Sequence, residues 1–386
     1  MSKLAACIVV FLISLSVSIG QPAQGTLIGQ DSTNRIITTA VPFLGITPDA
    51  RAAGMGDAGA ATSADANSAY WNAAKLVRID QSYGVAGSYT PWLGKIINDM
   101  SIFYLSGFYR IRKEEVVAAS MKYFDLGEIQ FNNGPLPENQ LGRYNPREFA
   151  FDVTYSRELT QRFSIGGAVR YIHSNLTGSG IGGAVDARPA NSVAVDMGVY
   201  YTKPFVSRNA NLALGAAITN VGAKVSYSSS EFRDFIPGNL RIGGAYTTDL
   251  DVLNSITFAL DFNKLLVPSP GAGSKSAPLL SGIFRSFTDA RGGFSEEISE
   301  VTMSTGIEYW YNKTFAARLG YFLEARDKGN RKYLTAGAGF RVERFGLDVA
   351  YLVPTNRLEN ALAETLRFTL LINFLERTKE NDSVTD

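Results

Sequence analysis

Between Gln81 and Phe374 the chain repeats one unit about fourteen times: a run of roughly 10–14 residues in which apolar side chains alternate with small or polar ones. A strand sends successive side chains to opposite faces, so each run is greasy on one side only. From Phe345 the greasy side is Phe345, Leu347, Val349, Tyr351 and Val353, against Gly346, Asp348, Ala350 and Leu352. The last run sets Leu366, Phe368, Leu370, Ile372 and Phe374 against Thr365, Arg367, Thr369 and Asn373. The gaps between runs switch between tight turns and longer loops. A closed sheet with an oily outside and a wet inside satisfies both rhythms. The expectation is an all-β fold, a 14-stranded antiparallel transmembrane β-barrel.

The alternation predicts strands at 82–90, 100–111, 115–131, 148–158, 163–176, 192–205, 210–225, 238–250, 254–266, 300–311, 314–325, 332–343, 345–354 and 364–375. Tight connections follow the even-numbered strands and long ones the odd-numbered strands. In this class short turns face the periplasm and long loops face outside, so an even count predicts both termini in the periplasm. The barrel then occupies 81–375 and is followed by a polar periplasmic tail at 376–386.

Composition narrows the setting. The 37 basic residues balance 36 acidic ones, which gives no reason to expect a nucleic-acid partner. The one long apolar stretch, Leu4 to Ile19 behind Lys3, reads as a secretory signal peptide over 1–20. Cys7, the single cysteine, lies within it, so no thiol, disulfide or cysteine–metal chemistry is expected of the mature protein. One histidine and no calcium-type loop argue against a metal site, and no cofactor is expected.

Inward positions carry both charge signs: Arg170, Arg241, Arg318, Arg341 and Arg367 with Asp152, Asp196, Asp261, Glu308 and Asp348. A cross-linked, filled interior follows more naturally than an ion-selective pore, which needs one sign to dominate. Phe103, Leu105, Trp310 and Phe322 are read as inward apolar exceptions able to line a small greasy cavity. The longest loop, 267–299, carries Leu279, Leu280, Ile283, Phe284, Phe287 and Phe294; it is either a protein-contacting surface or a lid over the barrel mouth.

Residues 21–80 precede the rhythm. Gly54, Gly56 and Gly59 spell G-x-G-x-x-G, but no strand precedes them and no βαβ unit follows, so a dinucleotide site is rejected. Small residues there suit backbone packed in a narrow space, and a short helix is predicted from Ser63 to Leu76, capped by Ser63 or Asp65. The stretch DARAAGMGDAGAATSADANSAYWNAAKL resembles the N-terminal hatch of the FadL-like barrels, in which such a segment plugs a fourteen-stranded wall. On that resemblance Arg51, Gly54, Gly56, Asp57, Gly59, Trp71 and Asn72 are hatch residues. At Trp71–Ala74 the chain reads WNAA, with Ala73 where many relatives have proline.

Together with NRIITTAVPFLGITPDARAAGMGD the match is most similar to the PorV (LptO) family of the type IX secretion system of Bacteroidetes. That resemblance implies an integral outer-membrane shuttle, in contact with outer-membrane lipid. Its partners would be the SprA/Sov translocon barrel, secreted proteins bound by their C-terminal β-sandwich domain, and the sortase PorU. Loop position and residue type make Trp92, Leu93, Ile96, Ile181, Ile283, Phe284, Phe287 and Phe294 the candidate contacts. A FadL-like transporter of fatty acids or other hydrophobic molecules is the alternative, with an apolar lumen pocket as its requirement.

Catalysis is not expected. A serine-type site would have to use His173, which the alternation sends outward near a rim, with Asn175 as a possible orienter and Ser174 facing inward. A lipid A deacylase built on His173 is a minor alternative.

Overall fold

In the computed structural model of the chain the described residues are 35–92, 99–132, 140–176, 188–228, 233–270, 276–355 and 365–376. The signal segment 1–20, residues 21–34, Leu93, Ile96, Ile181 and the tail from 377 lie outside them.

Sixteen strands follow in chain order: β1 Gln81–Pro91, β2 Ser101–Arg112, β3 Glu115–Asp125, β4 Ile129–Asn132, β5 Gln140–Tyr144, β6 Arg147–Thr160, β7 Phe163–Asn175 and β8 Ala190–Phe205. The rest are β9 Ala210–Gly222, β10 Asn239–Asp249, β11 Asn254–Leu265, β12 Val301–Tyr311, β13 Phe315–Leu323, β14 Lys332–Val342, β15 Phe345–Pro354 and β16 Leu366–Glu376. All but β4 and β5 form one closed antiparallel barrel, sealed where β1 meets β16 from Gln81↔Glu376 to Tyr89↔Phe368. Closure removes every edge, which is what lets a sheet stand in hydrocarbon. No helix among the described residues is long and apolar enough to cross a membrane; the strands do so instead.

The predicted run 115–131 is two elements. Gly127 takes φ +76 and its N–H caps the Asp125 carboxylate at 3.0 Å, which turns the chain out of the wall after Asp125. Beyond it Ile129–Asn132, the end of the predicted run, pairs with β5, which lies in the connection predicted before 148, as the separate β4–β5 hairpin.

Alternation holds along the wall. On β2 Ile102, Tyr104, Ser106 and Phe108 are buried while Phe103, Leu105 and Tyr109 are exposed. Phe103 and Leu105 therefore belong to the lipid-facing surface, a correction to their reading as lumen residues. Phe322 does face inward, stacked on Tyr333 at 4.7 Å, and Trp310 lies under the guanidinium groups of Arg318 and Arg341.

The helix predicted from Ser63 to Leu76 is broken. One α-helical turn spans Ser68–Trp71, Asn72 is extended at φ −162, and a 3-10 run covers Ala73–Arg78. Ser63 is taken by Arg51, while Asp65 divides its carboxylate between Arg51 and the Asn67 N–H at the start of the turn, 2.9 Å away.

Residues 40–79 run through the bore. The segment starts at the long-loop end, where the Arg35 N–H donates to Asp327 O at 3.1 Å and the Ala40 N–H to Phe235 O at 2.8 Å. It finishes at the short-turn end, where the Arg78 guanidinium donates to the carbonyls of Thr160 and Gln161. The two ends of the strand-built wall thus lie together at the short-turn end, but the described chain enters from the opposite one. Alternation could not place this, since it reports only on strands.

Candidate functional site

Two regions position chemistry: the segment inside the bore and a pair of short helices at the long-loop end. Inside, the small residues of the predicted hatch let backbone lie directly on the wall. Gly56 has φ +68, and a Cβ there would meet Tyr321 N at 2.6 Å and Thr305 O at 2.8 Å. The wall answers with its own glycines, since Gly306 and Gly320 face Met55 and Gly56, and Gly337 faces Gly54. Gly59 lies against the Trp71 indole with no room for a side chain.

Polar groups then fix the segment all round the wall. The Ala50 N–H donates to Thr369 Oγ1 at 2.9 Å, the Gly56 N–H to Thr335 Oγ1 at 2.9 Å, and the N–H groups of Gly59 and Ala60 both reach Asp261 Oδ2 at 2.7 Å. Asn72 Nδ2 donates to Val199 O at 3.0 Å, and Ser164 Oγ donates to Ala74 O at 2.7 Å. Trp71 Nε1 donates to Asp49 Oδ1 at 2.6 Å, and Tyr333 Oη donates to Asp57 Oδ2 at 2.5 Å. Buried polar groups must be satisfied, so each bond selects this placement of the segment over others.

Charges form a ladder across the same interface. Arg51 grips Glu308 with two bonds of 2.9 and 2.7 Å and reaches Asp65 at 3.0 Å. Glu308 also accepts from Arg318 Nε at 2.7 Å, Arg318 pairs with Asp348 at 2.8 Å, and Asp348 with Arg341 at 2.6 Å. Elsewhere Arg170 joins Asp152 and Asp196, while Arg367 pairs with Asp57 at 3.3 Å. Balanced signs cross-link a filled bore. All seven residues predicted as hatch lie in this segment, and Arg51, Asp57 and Asn72 are its polar anchors. Lys122 is a further anchor: its Nζ donates to Ile46 O and lies 4.9 Å from the Tyr70 ring centre. Its inward parity on β3 was visible in the sequence.

The loop 266–300 folds into two helices, Leu279–Arg285 and Phe294–Ser299. Each has two faces. Toward the barrel, Leu279 joins Ile37, Phe235, Val267 and Ala277, and Gly282 lies against the Phe235 ring. Away from it, Leu280, Phe284 and Phe287 fall at i, i+4 and i+7 and remain 66, 74 and 44% exposed. Phe294 and Ile298 do the same on the second helix, at 80 and 56%. Ile283 is half-buried.

A salt-bridge cage holds the second helix. Lys328 Nζ meets Glu296 at 2.8 Å and Glu300 at 2.9 Å; Lys264 Nζ meets Glu297 at 3.0 Å and Glu300 at 2.7 Å. Arg35, at the mouth of the bore segment, bonds Glu296 at 2.5 Å. The Lys328 ammonium, together with the Gly292 N–H, holds the Glu296 carboxyl down at about 2, and Glu300 is also lowered, its burial being outweighed by bonds from Lys264, Ser269 and Lys328. No sequence pattern assigns these charges a role, because their partners are 28–36 positions apart and on different elements.

The other predicted contacts fare differently. Trp92 is not a free loop aromatic. It packs against the buried cluster of Phe43, Ile102 and Phe124, 6.3 Å from the Phe124 ring and edge-on to it. His173 faces out as expected, but its partner is Asn191 on the neighbouring β8, at 2.8 Å from Nδ1, and not Asn175. Ser174 points inward and donates to Glu148 at 2.6 Å, which removes it from any reach of His173.

A family model described as type IX secretion system protein PorV matches residues 29–272. No curated protein matches. Among solved structures, the toluene transporter TodX of Pseudomonas putida is 11% identical over 86% of this chain and 99% of its own, with a TM-score of 0.51. The toluene transporter TbuX of Ralstonia pickettii is 12% identical over 85 and 98%, at 0.47. A Pseudomonas aeruginosa FadL homologue is 10% identical over 88 and 100%, at 0.46. At such identities the likeness concerns fold alone.

Proposed function

The chain belongs to the PorV family of type IX secretion system proteins, an outer-membrane barrel family, and from that premise we propose that it is a non-enzymatic carrier of secreted proteins. In this reading its long-loop end faces the outside of the cell. It binds the C-terminal β-sandwich domain of a cargo protein as the translocon barrel releases it, then yields that domain to the sortase.

The observation that carries the reading is the exposed apolar face of Leu280, Phe284, Phe287, Phe294 and Ile298, on two short helices over a filled bore, the first packed through Leu279 and the second braced by salt bridges. A carrier needs a rigid aromatic cluster ringed by polar groups, strong enough to hold a folded domain and accessible enough to lose it to a competitor. The cage of Lys264, Lys328 and the three glutamates supplies rigidity without covering the aromatics. A transporter of hydrophobic molecules needs an apolar route through the lumen. Here the bore is occupied by the chain's own segment, fixed by hydrogen bonds, ion pairs and apolar packing such as Phe43 on Ile102 and Phe124, and Phe103 and Leu105 face lipid, which favours the carrier.

Copurification from the native host tests this. Recovery of a secreted protein's C-terminal domain with the tagged barrel, lost on Phe284→Ser plus Phe294→Ser, is the expected result. A bound acyl chain or hydrocarbon with no protein partner would overturn it.

A further inference from the structure

The lipid-facing wall has a notch where the barrel closes. Its register defines one row across five strands, Leu347–Leu370–Gly87–Leu105–Met121, in which Gly87 is the gap. Toward the long loops the next row is aromatic, Phe368–Tyr89–Phe103–Tyr123, with the Tyr89 and Phe103 rings 4.9 Å apart. On the other side lie Val85, Gly107 and Ala119, so the low ground continues, until Tyr83 stacks on Phe374 at 5.0 Å. The part of this groove around Gly87, lined by Tyr89, Phe103, Leu105, Met121 and Leu370 among others, has a volume of about 440 Å³.

Neither glycine is imposed by packing. A Cβ on Gly87 would meet nothing within 4 Å, and one on Gly107 would make ordinary contacts with Val85 Cγ1 at 3.4 Å and Gly84 O at 3.6 Å. Glycine weakens a strand and offers lipid no side chain, so its presence here asks for an occupant of the space. The span from Tyr89 to Tyr83 is six residues, ~20 Å along a tilted strand, or about one leaflet of depth.

We propose that this groove binds one acyl chain of a bilayer lipid, with the headgroup at the Tyr89–Tyr123 rim and the chain running over Gly87 toward Gly107. Three features select lipid over a protein partner. The groove is continuous with the acyl-facing belt, it is concave, and its outward side chains carry no charge.

The test is native mass spectrometry of the full barrel after reconstitution with palmitoyl-oleoyl phosphatidylethanolamine and detergent exchange. The wild type should retain one lipid per chain. Gly87→Leu, which fills the row and leaves the heat-modifiable migration of a folded barrel intact, should lose it. Gly244→Leu, an outward glycine far round the wall whose Cβ has only ordinary contacts, should keep it. Equal retention by all three proteins, or none by the wild type, would overturn the proposal. So would a Gly87→Leu variant that keeps its lipid but loses a protein companion.

Discussion

Within the bore, charged groups are buried and paired, as in the run Asp65–Arg51–Glu308–Arg318–Asp348. At the long-loop end the arrangement is inverted: charged groups brace from beneath, and Phe284 and Phe294 stand exposed. The difference teaches how one chain separates a permanent contact from a reversible one. Buried ion pairs specify geometry, because breaking one strands its partner in low dielectric. An exposed aromatic face is already desolvation-ready and gains energy only when a partner covers it.

The largest expected effect comes from breaking the buried side. Glu308→Ala leaves Arg51 and Arg318 without their shared carboxylate, at a cost of ~3–5 kcal/mol. Thermal unfolding followed by heat-modifiable migration should shift strongly, and an unchanged midpoint would mean that the ladder does not hold the segment. Next is Gly56→Ala, which combines φ +68 with backbone contacts under 3 Å and should cost about 1–3 kcal/mol. The wall should still form, while conductance in planar bilayers rises because the bore segment no longer seats.

On the exposed side the signs reverse. Phe284→Ser with Phe294→Ser should weaken cargo-domain binding by at least ~2 kcal/mol yet move stability by no more than about 0.5 kcal/mol. Calorimetry against an isolated cargo domain, paired with a melt, separates the two quantities. The cage adds a pH signature. Glu296 is held at about 2 in the folded protein against an ordinary 4.5, and Glu300 is also lowered. A depressed carboxyl stabilises above its unfolded value and loses that contribution as pH falls through the folded one. Hydrogen exchange in Phe294–Ser299 should therefore be slow at neutral pH, relative to the intrinsic rate, and lose protection as pH falls from about 4.5 toward 2. The smallest effect is His173→Ala, expected to leave cargo binding and stability within about 0.5 kcal/mol.

Much of the wall was legible because period-two alternation is a local signal. Phe345 to Val353 or Leu366 to Phe374 can be assigned to a face without knowing their neighbours. It misled at β3, where Gly127 ends the strand while alternation runs on; on β2 the alternation holds, but with apolar residues on both faces it does not say which side Phe103 and Leu105 take. The glycine- and alanine-rich segment was recognisable as close-packed backbone. Its path was not, since the bonds that fix it, such as Gly59 to Asp261, join positions about 200 residues apart. The aromatics of the long loop were picked out by residue type. That Phe284 is free while Trp92 is packed depends on tertiary contacts with no sequence period.

Photo-crosslinking from position 284 in the native host probes the carrier role most directly. A light-activated residue replacing Phe284 should join the barrel to the C-terminal β-sandwich domain of a secreted protein, and the same probe at outward-facing Leu319 should capture only lipid. Lipid or detergent as the sole product at 284, with secretion running normally, would contradict the account.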